Sequence, residues 1–467
     1  MKKTEVYVRH LLADHQDESM NKYQPLPAEL KDEVSDAVRE IFDYFGGGDL
    51  LKSSGDVYIK PNGIDGKPYC YSRLEVVESV IQYFKRIGAR NIFLFENSTQ
   101  SNYTRVVFEV TGYKNLCKRT GAIPIYLDEE DTELFEFHGK PSVNEDPDGY
   151  DLKTFHLPET VVKLIKEKDR HLYVNLPKLK THSMGVVTLG VKNQWGFPRH
   201  IDRGYDHNYN LHSKLADVLE YIKPDFTLID GIEGTIHGHY PPTALADDLV
   251  KKFKILIGGT NVVATDIVGA RVFGKSLQDV PHLKVAVERG HGFGVRSIDD
   301  IKVIGDLTRF GQKYPHELVP IFHPDVNIVK GRDLLCPEGC RNNPLTLLQI
   351  LYLDHDAKGG WDLVIGKGHD SGIINSLNGP VLICGHCAIE EVSDQLIARL
   401  GRKNVYLSGY CNDLAATASS MLRLTKVNVM ELVDINPIKA VLILLKIMRH
   451  GSSSKVPSIF CNYIKKT

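Results

Sequence analysis

Short apolar runs alternate with amphipathic stretches along most of the chain. Val57-Tyr-Ile-Lys60 predicts a strand, Arg73–Ile87 an amphipathic helix, and Asn91–Glu96 the next strand. Tyr103–Thr120 predicts helix weakened at Gly112, since glycine lowers helix stability. Ala122–Leu127 predicts a strand whose Pro124 suits an edge. His171–Leu176, Phe226–Asp230 and Lys254–Gly258 follow the same pattern. Strand, helix and strand at this spacing predict right-handed βαβ units: an α/β fold, a mostly parallel sheet with flanking helices. Several runs are apolar at successive positions, as in strands buried on both faces. The acidic stretch Asp128–Tyr150, with Pro141 and Pro147, predicts a loop or an edge hairpin. Gly305–Asp325 carries Pro315, Pro320 and Pro324 with little periodicity, and predicts a domain boundary near residue 325. Beyond it, strands at Asp362–Gly366, Pro380–Cys384 and Asn404–Ser408 alternate with helices at Ala388–Leu400 and Asp413–Leu424. The division is therefore 1–325, a larger α/β domain, and 326–467, a smaller C-terminal α/β domain carrying a cysteine cluster. Ile438–Met448 predicts a last helix, and Gly451-Ser-Ser-Ser-Lys455 a flexible tail.

A length of 467 residues fits two such domains. Hydrophobic residues at 42% and charged residues at 25% are ordinary for a globular protein and exclude a disordered chain, a collagen repeat or a coiled-coil rod. Lys and Arg number 57 against 59 Asp and Glu, a net charge of −2, so no global attraction draws the chain to nucleic acid or to an anionic membrane. Neither is expected as a partner. The most apolar run, Ala440–Leu445, meets Lys446 well short of the roughly 18 residues a spanning helix needs. Lys2, Lys3, Glu5 and Arg9 interrupt any secretory core at the start, and a cytoplasmic location is expected.

Ligands of parallel sheets bind beyond the carboxyl ends of the strands, so polar residues there are the candidates. They are Lys60 and Asn62; Glu96, Asn97 and Ser98; Asn175, Lys178, Lys180 and His182; Asp230 and Glu233; and Asp266, read as the N-cap of a helix beginning there. Lys178, Lys180 and His182 alternate with Leu179 and Thr181, so an extended backbone points all three to one side. Lys192 and Asn193 follow a glycine-bearing turn, then Arg199, His200, Arg203, His207 and His212. Lys178, Lys180, His182 and Lys192 are the catalytic candidates. Lys60, Asn62, Asn175, Asn193, Arg199, Asp230 and Asp266 are the substrate-binding candidates. Lysine and arginine hold a carboxylate or phosphate, and histidine titrates near neutrality and moves protons. Asp230, Glu233 and Asp266 would balance the charge or bind Mg²⁺. The plainer alternative is a solvated strand end followed by a histidine-bearing surface loop. His200, His207 and His212 match no standard zinc spacing. His237-Gly-His239 reads as part of the loop before Pro241-Pro242.

In this order, Lys60-Pro-Asn62, Asn175-Leu-Pro-Lys178-Leu-Lys180-Thr-His182, Gly190-Val-Lys192-Asn193-Gln-Trp-Gly196, Asp230-Gly-Ile-Glu-Gly and Ala264-Thr-Asp266 resemble the family catalogued as domain of unknown function 362 (DUF362), over roughly residues 50–305. The resemblance implies the fold and iron–sulfur chemistry nearby. Members often carry a ferredoxin-like module with two four-iron clusters, whereas this chain lacks a Cys-x-x-Cys-x-x-Cys run. It implies no reaction.

Eight cysteines are too few for a disulfide scaffold. Cys70, Cys117 and Cys461 are scattered, but Cys336, Cys340, Cys384, Cys387 and Cys411 fall together. Cys384 closes one predicted strand and Cys411 follows the next, which puts both thiols at one sheet edge within reach of the Cys336–Cys340 loop. Four thiolates suit a four-iron (4Fe-4S) cluster or, alternatively, a structural zinc ion, with Cys411 or Cys336 the spare. A Cys384/Cys387 redox dithiol and a merely apolar role compete with this. The leading expectation is an iron–sulfur-associated enzyme, an oxidoreductase or a proton-transfer enzyme, binding a small anionic substrate between its domains and exchanging electrons with a partner. The alternatives are a non-catalytic cluster binder docking an acidic partner and a Mg²⁺-dependent hydrolase or transferase with structural zinc.

Overall fold

The computed structural model describes residues 3–13, 19–20, 22–137, 153–411, 413–428 and 431–457. Cys461 and most of the acidic stretch ending at Tyr150 lie outside them. The first twelve strands are β1 (Thr4–His10), β2 (Asp56–Pro61), β3 (Asn91–Glu96), β4 (Ile123–Tyr126), β5 (Thr132–Glu136), β6 (Thr154–Pro158), β7 (Leu172–Leu176), β8 (Lys178–His182), β9 (Val186–Thr188), β10 (Phe226–Thr235), β11 (Val250–Gly259) and β12 (Ile301–Ile304). All but β5 and β6 form one sheet in the order β12-β1-β11-β10-β7-β2-β3-β4, with β8 beside β10 and β9 beside β8. Pairing is parallel from β10 through β7, β2 and β3 to β4. Every residue of β2 and β7 is buried, because helices cover both faces of the sheet.

One expectation changes here. Lys254–Gly258 belongs to a strand antiparallel to β10, not to another parallel unit. An apolar run has the same pattern in either direction, and the return loop decides. The edge hairpin is real: β5 and β6 pair antiparallel from Thr132↔Pro158 to Glu136↔Thr154. Gly112 does divide the predicted helix, at a backbone φ of +84°, into Thr104–Val110 and Tyr113–Thr120.

The continuation of β10 matters most for the site. Asp230-Gly-Ile-Glu233 does not follow the strand but lies within it, at a bulge between Gly231 and Glu233. β7 pairs with the start of β10 at Phe226↔Val174. The chain then breaks at Pro177, and β8 takes over, with Asp230 opposite Lys178 and Thr235 opposite Lys180.

A second sheet of four parallel strands runs in sequence order: β13 (Val326–Lys330), β14 (Trp361–Ile365), β15 (Val381–Cys384) and β16 (Val405–Leu407). Helices Asn342–Asp354 and Leu414–Thr425 cover one face and His386–Leu400 packs against the other. The segment Gly451–Lys455, expected as a free tail, is tied to the body of the protein. Ser101 N–H donates to Lys455 O, Ser453 N–H to Asp128 O, Lys455 N–H to His200 Nδ1, and Lys455 Nζ pairs with Asp413.

Candidate functional site

A cavity of about 820 Å³ opens between the strand ends of the large sheet and the helices of the second sheet. Its polar wall carries Asn62, Asn97, Lys180, His182, Lys192, Asn193, Arg203, His207 and His239. Its other wall is largely aliphatic: Val106, Val107 and Val110, then Leu347, Ile350 and Leu353, then Leu414 and Ala418.

Lys192 is the centre of the polar wall. It stands on the short helix Gly190–Asn193, which is tied down from three sides. Asp266 accepts Gly190 N–H and Val191 N–H at 2.7 Å each, one per carboxyl oxygen. Gly190 is needed for that approach, since a Cβ there would meet Val262 at 2.6 Å and Asp266 Oδ1 at 2.9 Å. A chain of amides completes the frame: Asn62 Nδ2 donates to Asn193 Oδ1, Asn193 Nδ2 to Asn175 Oδ1, and Asn175 Nδ2 to Gly190 O, all at 2.8 Å. Among the described residues, no acidic or hydrogen-bonding group meets Lys192 Nζ. Burial first, then the charges of Lys180, Arg203 and Lys60, pull its pKa down to about 7.

The neighbouring cations Lys180 and Arg203 form no ion pair among the described residues, although Asp65, Glu96, Asp354, Glu431 and Asp434 also line the cavity. Lys180 Nζ donates to Cys70 O at 2.6 Å, and burial lowers its pKa to about 8. Among the described residues Arg203 donates to the backbone carbonyls of Asn97 and Ser98 alone, and burial brings it down to about 10. The His182 and His239 rings stack at 3.7 Å between centroids. His182 Nδ1 accepts from Met184 N–H at 3.1 Å, which leaves the ring proton on Nε2. Burial holds His182, His207 and His239 neutral, well below the usual imidazole range. Buried Asn62 Oδ1, Thr188 Oγ1, Arg203 Nε and His239 Nδ1 on this wall have no partner among the described residues. Orphaned groups of this kind are uncommon and mark a wall suited to a polar ligand.

Other sequence candidates go elsewhere. Lys178 lies on β8 with Lys180 and His182 but outside the cavity wall. Its Nζ is 3.1 Å from both Asp230 oxygens and 3.3 Å from Glu233, and all three side chains are fully buried. Arg73 closes this group, its guanidinium on Glu233 and its N–H on Asp230 at 2.7 Å. Two cations and two anions therefore neutralise each other, and Asp230 is engaged within the core. Lys60 is likewise sealed against Glu96. Asp266 does not cap the helix it was assigned to: that helix is Val262–Val272, capped by Asn261, and Asp266 inside it caps Gly190–Asn193 instead. Burial raises its pKa to about 7. Arg199 turns away to Asp202 and His156 with its side chain 27% exposed, and Arg203, one helical turn on, takes the cavity position. The plain alternative of a solvated lysine strand fails, since every residue of β8 is buried. His200, His207 and His212 do not converge: His200 meets Asn97 and Ser98, His207 meets Trp195, and His212 meets Glu338. His239, read from sequence as loop, is part of the site. No local signal could have shown this, because its partner His182 lies on a distant strand.

The five clustered cysteines come together at the C-terminal end of the second sheet. Cys336, Cys340, Cys387 and Cys411 line a cavity of about 30 Å³ with Asn208, Tyr209 and His386. Tyr209 N–H donates to Cys336 Sγ. Gly339 packs so closely on the main chain that a Cβ would lie 2.3 Å from His207 O. The loop His207–Tyr209 thus touches both cavities. Cys384 is the one set apart, buried with Ser408 and Thr417 on its sulfur, and burial pushes its thiol up to about 12. Among the described residues, no three His, Cys, Asp or Glu side chains close on a point that would hold one metal ion; the thiols stand around a space.

Residues 57–271 match the family described as Domain of unknown function (DUF362). A thylakoid-associated protein of Synechocystis is 30% identical over 219 residues, 43% of this chain and 61% of that protein, so the chain spans under two thirds of its length. A crystal structure of a protein from Thermotoga maritima aligns over 88% of this chain and 93% of that one at 11% identity, with a TM-score of 0.37, too loose for comparison of detail.

Proposed function

We propose, for a chain whose residues 57–271 match DUF362, an enzyme that binds an anionic substrate on Lys180, Lys192 and Arg203 and moves a proton at Lys192 Nζ. The observation that carries this reading is the amine of Lys192, buried on the cavity wall with no counter-ion among the described residues, where burial and neighbouring cations pull its pKa down to about 7. Such a group binds an anion when protonated and accepts a proton when not, both at neutral pH. Neutral His182 presents Nε2–H as a donor. The aliphatic wall opposite favours a substrate with a carboxylate or phosphate at one end and an apolar body at the other.

The donor set at the second cavity suits a four-iron cluster: four thiols from a turn, a helix start and a strand end surround one space, with a backbone N–H aimed at a sulfur. Cys336, Cys340, Cys387 and Cys411 would hold it. Bound there, it would supply single electrons, which makes the reaction a reduction or oxidation and calls for an electron-transfer partner. The contact of His207–Tyr209 with both cavities supports this coupling. Zinc is the second reading: it requires the four thiols, which stand around a space here, to close on one point, and it would make the C-terminal unit a support for hydrolytic or transfer chemistry.

The test follows Lys192 by NMR on protein labelled at lysine Cε. One resonance should titrate with a midpoint near 7, vanish in Lys192→Met, and move to a higher midpoint with inorganic sulfate, whose charge does not change in this range. A lysine spectrum with no midpoint below 9 would refute the reading. Iron and sulfide content of anaerobically purified protein decides between cluster and zinc: about four of each per chain for the first, neither for the second.

A further inference from the structure

The helix Pro437–His450 has two apolar faces. Ile443 and Ile447 are buried against the body of the protein. On the other side, Ile438, Val441, Leu442, Leu445 and Met448 recur at helical spacing and are 74%, 55%, 56%, 56% and 79% exposed. Isolated exposed leucines need no explanation, but a continuous aliphatic face on one helix does.

We infer that this helix seats the protein on an anionic lipid surface, lying in the plane of the headgroups with this face among the acyl chains. Charge favours lipid over other occupants. The helix contains no acidic residue, while Lys446, Arg449 and His450 are exposed along it. Basic side chains beside an aliphatic face are the pattern of interfacial helices, which need not be long enough to span. No described helix is long and apolar enough to cross a membrane. A self-paired helix, run antiparallel, would set Lys446 and Arg449 against the positive N-terminal end of its twin, which charge disfavours.

Lys439 pairs with Glu109 on the helix Thr104–Val110, whose Val106 and Val110 line the large cavity. Leu432 and Val433, just before Pro437, line it as well. The helix therefore stands beside the cavity's aliphatic wall. The docking itself stands whether or not the reading of Lys192 does.

The experiment is flotation of the full chain with vesicles of phosphatidylcholine alone and of phosphatidylcholine mixed with phosphatidylglycerol. The protein should float with the mixed vesicles and be released by high salt, because the basic residues contribute through a screened attraction. Leu442→Asp with Leu445→Asp should weaken partitioning at least ~10-fold, and Lys446→Glu with Arg449→Glu several-fold, both with unchanged melting temperature, since these side chains are exposed. Failure to float with mixed vesicles, or flotation that neither pair of substitutions weakens, would overturn the inference. So would sedimentation showing a dimer that Leu442→Asp with Leu445→Asp dissolves, since a second copy would then cover the face.

Discussion

Lys178→Met separates a stabilising role from a catalytic one. The side chain is fully buried, and its amine faces both oxygens of Asp230 at 3.1 Å and Glu233 at 3.3 Å. Methionine fills nearly the same volume, so the change is chiefly electrostatic. Removing one member of a buried ion pair costs about 3–5 kcal/mol, because the other charge stays behind. Glu233 keeps the Arg73 guanidinium, and Asp230 keeps only the Arg73 N–H and its own turn, so the loss falls on one carboxylate. The lower end, about 3 kcal/mol, is expected, a fall in melting temperature of roughly 5–10 °C for a domain of this size. The pH dependence has a definite sign. Asp230 already has a raised pKa, from burial, with Lys178 the main opposing influence. Without Lys178 it rises further, so the folded carboxyl takes up a proton that the unfolded one releases. The penalty is absent at pH well below the unfolded carboxylate pKa and grows as pH rises towards the folded value. Urea unfolding should therefore show a smaller deficit at pH 5 than at pH 8, and Lys178→Met with Asp230→Asn should recover much of it. Unchanged stability together with lost sulfate binding would refute the reasoning and return Lys178 to the catalytic set.

Three further outcomes follow from the same geometry. Asp266→Ala removes two hydrogen bonds to the turn that carries Lys192, and should lower stability by about 2–4 kcal/mol and raise the sulfate dissociation constant, both measured on one preparation by calorimetry. Cys384→Ser should leave metal content unchanged, whereas Cys387→Ser should reduce it, as read by elemental analysis of anaerobic protein. Arg203→Lys should weaken sulfate binding more than Arg199→Lys, because only Arg203 lines the cavity, and titration calorimetry on the two variants compares them directly.

The parallel core was legible because βαβ spacing and doubly buried strands leave an unmistakable period. β1 is not legible, although its Val6 and Val8 alternate with partly exposed neighbours, because only two apolar side chains turn inward between its charged ends. The direction of β11 was not legible, since periodicity carries no polarity. The convergence of the cysteines followed from strand order: β15 and β16 pair parallel, so the residues after each meet at one edge. What the sequence hid was pairing between distant strands. The Lys-x-Lys-x-His run looks uniform, yet Asp230 and Glu233 capture its first lysine and leave the second to the cavity. Arg199 and Arg203 look equivalent too, until His156 and Asp202 claim the former.

The segment Gly451–Pro457 touches the large sheet's unit through Ser101, Asp128 and His200, the helix Leu414–Thr425 through the cap Asp413, and the cavity itself through Pro457. It runs as a clasp across two bodies that are each complete by residue 428. The order of assembly is thereby constrained. During synthesis both sheets can form, and meet through contacts such as Lys67 with Asp354 and Leu414 N–H with Gln100, before this segment leaves the ribosome; the segment adds the last ties across the chamber. A protease that cuts near Gly451 should release the clasp without unfolding either sheet, leaving the two joined by their remaining contacts alone.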